Sequence, residues 1–409
     1  MFSKSKLLTA LLALQSLSAA VPDIEKTELF AGGEKDHKLY RIPGIVVTRR
    51  GTVLVYCEGR RRTGGDWDTI DIMLRRSTDG GKTFSPQTVV ALVNSEIHRS
   101  PVAIEHTQGK PDDVTYNNPV AIADKNGAVH FLFCIDYMRV FYMSSRDDGQ
   151  TFTQPVEITK AFESLRPGYA WRVVATGPGH GIQLASGRLL VPAWVSLGLS
   201  GNGHGPSADT TLYSDDHGRN WHVQGLAIPD SPEFPGSNET AAVQLADGSV
   251  MLNVRTPSKE NRRVITISKD GAGAWATPHY QRDLPDPHCM AGMVRLSTVG
   301  KGGRNRILFS NPDNLTRADG RDVPGKDRRN VTVRVSYDEG SSWTVKRTIE
   351  AGPSGYSDLA VLPNGTILCF YEASRNGSTG GYAERLLLAR FSLEWLTEGK
   401  DTLTNKGRK

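Results

Sequence analysis

The side chains in this sequence best suited to chemistry are arginines, carboxylates and a tyrosine. They lie far apart in short polar segments: Tyr40-Arg41-Ile42-Pro43, Glu58-Gly59-Arg60, Gly65-Asp66, Asn238-Glu239, Asn253-Val254-Arg255 and Gly355-Tyr356-Ser357-Asp358. A guanidinium never loses its charge and its planar fork matches a carboxylate, so arginines suit an anionic substrate. A carboxyl group can give or take a proton. A phenol, with an ordinary pKa near 10, becomes a nucleophile only beside a base that draws off its proton. Histidines and acidic residues show no metal-ligand spacing, and His180 and His204 sit in glycine-rich loops as structural or substrate-adjacent groups. No metal and no cofactor is expected. The four cysteines fit no zinc pattern. Cys57, Cys134 and Cys369 lie inside apolar runs and read as buried free thiols.

Residues so widely spaced need a scaffold that brings distant segments together, and the sequence carries an internal repeat. The pattern Ser-x-Asp-x-Gly-x-Thr-aromatic occurs at Ser77–Phe84 and Ser145–Phe152, with looser copies at Ser214–Trp221 and Ser336–Trp343 and a degenerate one at Ser268–Trp275. Its aspartate can accept bonds from turn amides, its glycine permits a positive φ, and its aromatic residue anchors the turn. Glycine turns followed by apolar strands recur independently at Gly51, Gly127, Gly187, Gly248, Gly303 and Gly365. Short antiparallel strands, no long amphipathic helix and roughly 65 residues per unit predict an all-β, six-bladed propeller of four-stranded blades.

The sequence has 409 residues and a formal charge of +5. Lys4 and Lys6 precede the apolar run Leu7–Leu14, and Ser18-Ala19-Ala20 follows it. This predicts a secretory leader over residues 1–20 and a secreted or periplasmic protein. No later segment approaches the ~20 apolar residues of a spanning helix, so stable membrane insertion is not expected. The mildly basic balance gives no reason to invoke nucleic acid. The end Asn405-Lys406-Gly407-Arg408-Lys409 reads as a solvated tail. Every apolar run is used by a blade, so residues 21–409 are expected to form one domain.

On these segments the sequence resembles the bacterial-type exo-α-sialidase family. The aspartate-bearing turns match its Asp boxes and Tyr40-Arg41-Ile42-Pro43 its YRIP signature. Gly177-Pro178-Gly179-His180-Gly181 and Phe309-Ser310-Asn311-Pro312 also agree in order and spacing. The resemblance implies a retaining glycosidase acting on terminal sialic acids of glycoproteins, glycolipids or oligosaccharides. It implies that Arg41, Arg255 and Arg328 clamp the substrate carboxylate; Arg321, Arg329 and Arg334 are nearby, and the spacing favours Arg328 over Arg329. It gives Tyr356 the nucleophile's role, Glu239 that of its base, and Asp66, on the loop Thr63-Gly64-Gly65, that of acid and base. Arg60 is expected to help hold the substrate. Asp68 is a rival to Asp66, whereas Asp71, at the start of an apolar strand, looks structural. Asp136-Tyr137-Met138 and Trp171-Arg172 occupy the region of the N-acyl pocket without a clear match. A non-catalytic glycan-binding propeller, a trans-sialidase, an anhydro-forming lyase and a hydrolase of the deaminated sugar remain open on the same scaffold.

Overall fold

The computed structural model describes residues 24–62, 64–94, 96–299, 303–375 and 383–403. The expected leader, the basic tail and Thr63 lie outside them. Strands dominate, in mainly antiparallel sheets that follow chain order, with Gly179–His180 added parallel to Tyr116–Ala123. The first blade contains Leu39–Val47, Val53–Arg60, Ile70–Ser77 and Thr88–Val90, and the second Tyr116–Ala123, Val129–Ile135, Arg139–Ser145 and Val156–Glu157. The third has Val173–Thr176, Leu189–Ser196, Ser207–Ser214 and His222–Ile228; the fourth has Asn238–Gln244, Val250–Arg255, Arg262–Ser268 and His279–Pro285.

The remaining strands form one seven-stranded sheet. Its strand Val345–Val361 serves twice. Val345–Pro353 pairs with Arg329–Ser336, and from Ser354 onward the same strand pairs with Ile367–Ala373. The sheet thus divides into two four-stranded groups that share one polypeptide segment. One comprises Gly292–Ser297, Arg306–Pro312, Arg329–Ser336 and the first half of the shared strand. The other comprises its second half with Ile367–Ala373, Arg385–Phe391 and Glu25–Ala31. Glu25–Ala31, from the beginning of the described chain, pairs antiparallel with Arg385–Phe391 near its end. Inner strands of successive groups touch around a ring that closes between Val345–Val361 and Leu39–Val47.

Apolar burial follows the same division. Among the described residues, six hydrophobic clusters each fill one interface between adjacent blades. Val55, Leu368 and Leu388 join last to first, for example, and Leu54, Phe131 and Phe133 join first to second. Each fully buried Val, Leu or Phe contributes about 1.5–3 kcal/mol relative to exposure. Cys57, Cys134, Cys289 and Cys369 are all buried free thiols.

The aspartate-bearing turns rivet these interfaces. In the first, Ser77 donates to Asp79 and accepts the Gly81 amide, while Asp79 takes the Thr83 amide and hydroxyl. Asp147, Asp216 and Asp338 repeat this set. Asp270 manages the shortened version with the amides of Ala272 and Gly273. The turn backbone also accepts from the preceding blade: Arg390 reaches Gly80 O at 2.9 Å, Thr211 Gly271 O at 2.5 Å and Gln281 Gly340 O at 3.0 Å. The turn glycine must be bare. At Gly218, φ is +82° and a Cβ would lie 2.4 Å from the Tyr142 hydroxyl of the neighbouring blade. Gly127, in the turn between Tyr116–Ala123 and Val129–Ile135 with φ +92°, has open space instead.

These two glycines separate backbone strain from interface packing. Gly127→Ala should cost about 1 kcal/mol, and Gly218→Ala a further ~1–3 kcal/mol from overpacking. Urea unfolding of the two variants tests this, and equal losses would deny the rivet.

Candidate active site

Four inner strands lose regular register at the same end of the ring: between Arg41 and Gly44, Asn117 and Val120, Asn238 and Thr240, and Ser354 and Ser357. A bulge bends a strand and re-aims the side chain at the irregularity. Here the residues at or beside the irregularities are Arg41, Asn118, Glu239 and Tyr356, and all four line one cavity. Two irregularities contain proline after a residue of positive φ, Ile42-Pro43 at +62° and Asn118-Pro119 at +52°. Proline cannot donate to the ladder, so pairing must break there. Arg255 enters from the end of its strand, opposite Asn238. Arg328 enters just before Arg329–Ser336, its Nη2 donating to His288 O at 2.7 Å.

Tyr356 stands at the centre. Its hydroxyl donates to Glu239 Oε1 at 2.5 Å and accepts from Arg255 Nη1 at 2.8 Å. Arg255 Nη1 also donates to Glu239 Oε2. The guanidiniums of Arg41 and Arg328 each lie 4.9 Å from the centre of the Tyr356 ring. Below them Glu372, wholly buried, takes Arg41 Nε at 3.0 Å and Nη2 at 3.3 Å as well as the Tyr356 amide at 3.0 Å.

Burial, then the Glu239 charge, pushes the Tyr356 phenol well above its ordinary range despite three arginines pulling it down. Burial also raises the Glu239 carboxyl, but Arg255, the bond from Tyr356 and Arg328 outweigh it and hold Glu239 below the ordinary glutamate range. The shared proton therefore rests on Tyr356, with an ionised acceptor in place. The cavity also holds buried polar atoms without hydrogen-bond partners: Arg255 Nε, Asn238 Oδ1, Trp194 Nε1 and His204 Nε2. Such groups are costly unless a polar ligand or water completes them.

Asp66 lies on the rim with its side chain 42% exposed, accepting from Arg60 Nη1 at 2.8 Å. Burial raises its carboxyl, but Arg60, His204 and Arg41 together hold it well below the ordinary aspartate range. Asp68 points elsewhere. Its carboxylate takes the amides of Arg62, Gly64 and Thr69 and staples the loop from within. Asp71 pairs with His37 and Arg61. Arg60, expected to help hold the substrate, donates to the cavity residue Asp66. Its side chain is 1% exposed, is absent from the cavity wall and is engaged by Glu58, Asp66 and Gly64 O. Two carboxylates already occupy its fork, so it reaches the site through Asp66.

Of the unmatched segments, Tyr137 lines the cavity beside Trp194 and His204. Trp171 is buried under Phe162 and Arg172 pairs with Glu105. His180 bonds Asp358 at 2.8 Å and faces a second cavity further along the axis. Among the described residues, no group of three or more His, Cys, Asp or Glu could hold a metal ion, and no helix is long and apolar enough to cross a membrane.

A family model described as a BNR repeat-like domain matches residues 99–369. The chain belongs to the BNR repeat-like domain family. Within it, the chain is similar to a sialidase of Micromonospora viridifaciens, 29% identical over 402 residues covering 92% of this chain and 55% of the relative. A sialidase of Bacteroides fragilis is 28% identical over 361 residues, covering 84% of this chain and 61% of the relative. The chain thus spans little more than half the length of these two proteins. In fold it is similar to the solved Hadza microbial sialidase Hz136, with a TM-score of 0.72 at 24% identity, covering 90% of this chain and 69% of that one.

Several site residues of this BNR repeat-like domain escaped the sequence reading: Glu372, Asn118, Trp194 and His288. Glu372 had a signal, since a lone carboxylate inside the apolar strand Ile367–Ala373 must be paired if it is buried. Asn118-Pro119 inside an apolar strand was another. Trp194 and His288 had none.

Glu372 carries a stability prediction. Glu372→Leu strips Arg41 and two backbone amides, those of Ile42 and Tyr356, of their buried acceptor. It should cost about 3–5 kcal/mol in guanidinium unfolding. A loss below 1 kcal/mol would show that the pair is dispensable.

Proposed function

We propose that this chain is a glycoside hydrolase, a retaining exo-α-sialidase that removes terminal sialic acids from glycans with Tyr356 as nucleophile. The hydrogen bond of 2.5 Å between Tyr356 and ionised Glu239, set among three guanidiniums, carries the reading. A sialic acid bears a carboxylate on its anomeric carbon. Arg41, Arg255 and Arg328 offer a cationic bed for it, and a neutral phenol approaches that carbon without the repulsion a carboxylate would meet. Tyrosine nucleophiles are a known exception to the two-carboxylate scheme of glycosidases.

The reaction runs in two displacements. Asp66 gives its proton to the glycosidic oxygen as the C–O bond breaks, and Tyr356 oxygen bonds to the anomeric carbon while its proton passes to Glu239. The ionised Asp66 then takes a proton from water, whose oxygen attacks the same carbon. The Tyr–carbon bond breaks and Glu239 returns the proton to the phenolate, giving net retention. Asp66 starts as a carboxylate beside Arg60. Substrate brings its own negative charge and displaces water, and both changes favour the protonated acid. Secretion or periplasmic export belongs to the same proposal, resting on the leader-like residues 1–20.

Two measurements test this. Tyr356→Phe removes the attacking oxygen, so release of the aryl alcohol from an aryl α-sialoside should fall by about 10³-fold or more; undiminished turnover would remove the nucleophile. The pH dependence has a definite sign. Asp66 must be protonated and Glu239 ionised, and both carboxyls lie below their ordinary ranges. Hence kcat/KM on sialyllactose should rise as the pH falls from about 8 to about 5, with the base still charged there. A profile rising toward alkaline pH would contradict both assignments.

A further inference from the structure

Asp66 poses a problem that its own pair with Arg60 creates. A cation 2.8 Å away stabilises the carboxylate, yet an acid must hold a proton. Arg60 has a second partner. Glu58, two residues earlier on the strand Val53–Arg60 and wholly buried, accepts Arg60 Nη2 at 2.7 Å and Nε at 3.0 Å. The other oxygen of Glu58 takes the Asn118 amide at 2.8 Å, so the carboxylate is fixed on both sides. Asn118 belongs to the second blade and itself lines the cavity.

We infer that Glu58 is a positioning residue for the acid step: by occupying the inner fork of Arg60 it offsets that charge and leaves Asp66 able to take up a proton when substrate arrives. This rests on the hydrolase reading above. The groups facing Asp66 are Arg60, His204, Arg41 and Tyr137; those facing Glu58 are Arg60, Asp66, Tyr137, Cys57 and Cys134. Tyr137 and Arg41 complete the surroundings of Arg60. Counting Glu58, Arg60 and Asp66 together, the trio has net charge −1 and returns to zero when Asp66 is protonated. Without Glu58 the remaining pair is neutral with Asp66 ionised, and protonating it would leave a buried guanidinium uncompensated. Burial lifts the Glu58 carboxyl somewhat, with Arg60 and the Asn118 amide opposing.

The role predicts a leaving-group signature that a merely structural residue lacks. An acidic phenol departs with little protonic help, whereas the sugar alcohol of sialyllactose needs it. Glu58→Gln should therefore lower kcat/KM on sialyllactose about ten-fold more than on 4-methylumbelliferyl α-sialoside. It should also shift the sialyllactose pH profile to lower pH. Arg60→Gln, which removes the attracting charge and leaves Glu58, should move that profile the opposite way and stands independently if the first variant folds poorly. Binding of 2-deoxy-2,3-didehydro-N-acetylneuraminic acid by calorimetry checks that each variant keeps its cavity. Equal losses on both substrates with unmoved pH profiles would overturn the role of Glu58. A wild-type protein inactive on both substrates would sink the hydrolase reading itself, and this role with it.

Discussion

The charge arrangement in the cavity depends on one proton held by Tyr356 against an ionised Glu239. Three guanidiniums crowd the same phenol, and like charges at such separations repel strongly in a poorly solvated site. They tolerate one another because Glu239 and Glu372 interleave with them, one at the Tyr356 hydroxyl and one at its backbone amide. The balance still favours positive charge. Glu372 is thus as much a part of this charge balance as the arginines, though it does not line the cavity.

The ring supplies the precision. The centre of the site is set on strand irregularities and strand ends, where rigid sheet on either side fixes the backbone. Each blade is locked to the next by an apolar seam and a riveting turn, so a side chain in the first blade keeps its distance from one in the sixth. Asp66 is the exception. It stands on a connecting segment, and Trp67 beneath it, Asp68 within it and Arg60 behind it restrain that segment.

Features whose cause is local were legible in the sequence. The riveting turns could be read because serine, aspartate and glycine act within eight residues, and the glycine turns gave the number of strand groups. Arg41, Arg255, Arg328, Glu239 and Tyr356 were legible by resemblance, and the structure gathers all five. Features decided by burial were not. Arg60 and Arg41 look alike as residues in a strand, but one is capped by Glu58 and Asp66 and the other opens on the cavity. Asp66 and Asp68 differ only in which way a tight loop turns them. The pairing of Glu25–Ala31 with Arg385–Phe391 was invisible, because nothing near either strand names its partner.

That pairing gives the molecule a clasp. The blade that presents Tyr356 takes its outermost strand, Glu25–Ala31, from a segment far earlier in sequence, so it cannot be completed until Arg385–Phe391 has left the ribosome. Closing so large a loop is entropically expensive and comes late. The surroundings of Tyr356 are consequently assembled last, and a chain without Glu25–Ala31 would leave the seam that Leu29 and Phe30 share with Ile45, Val53 and Val55 unfilled.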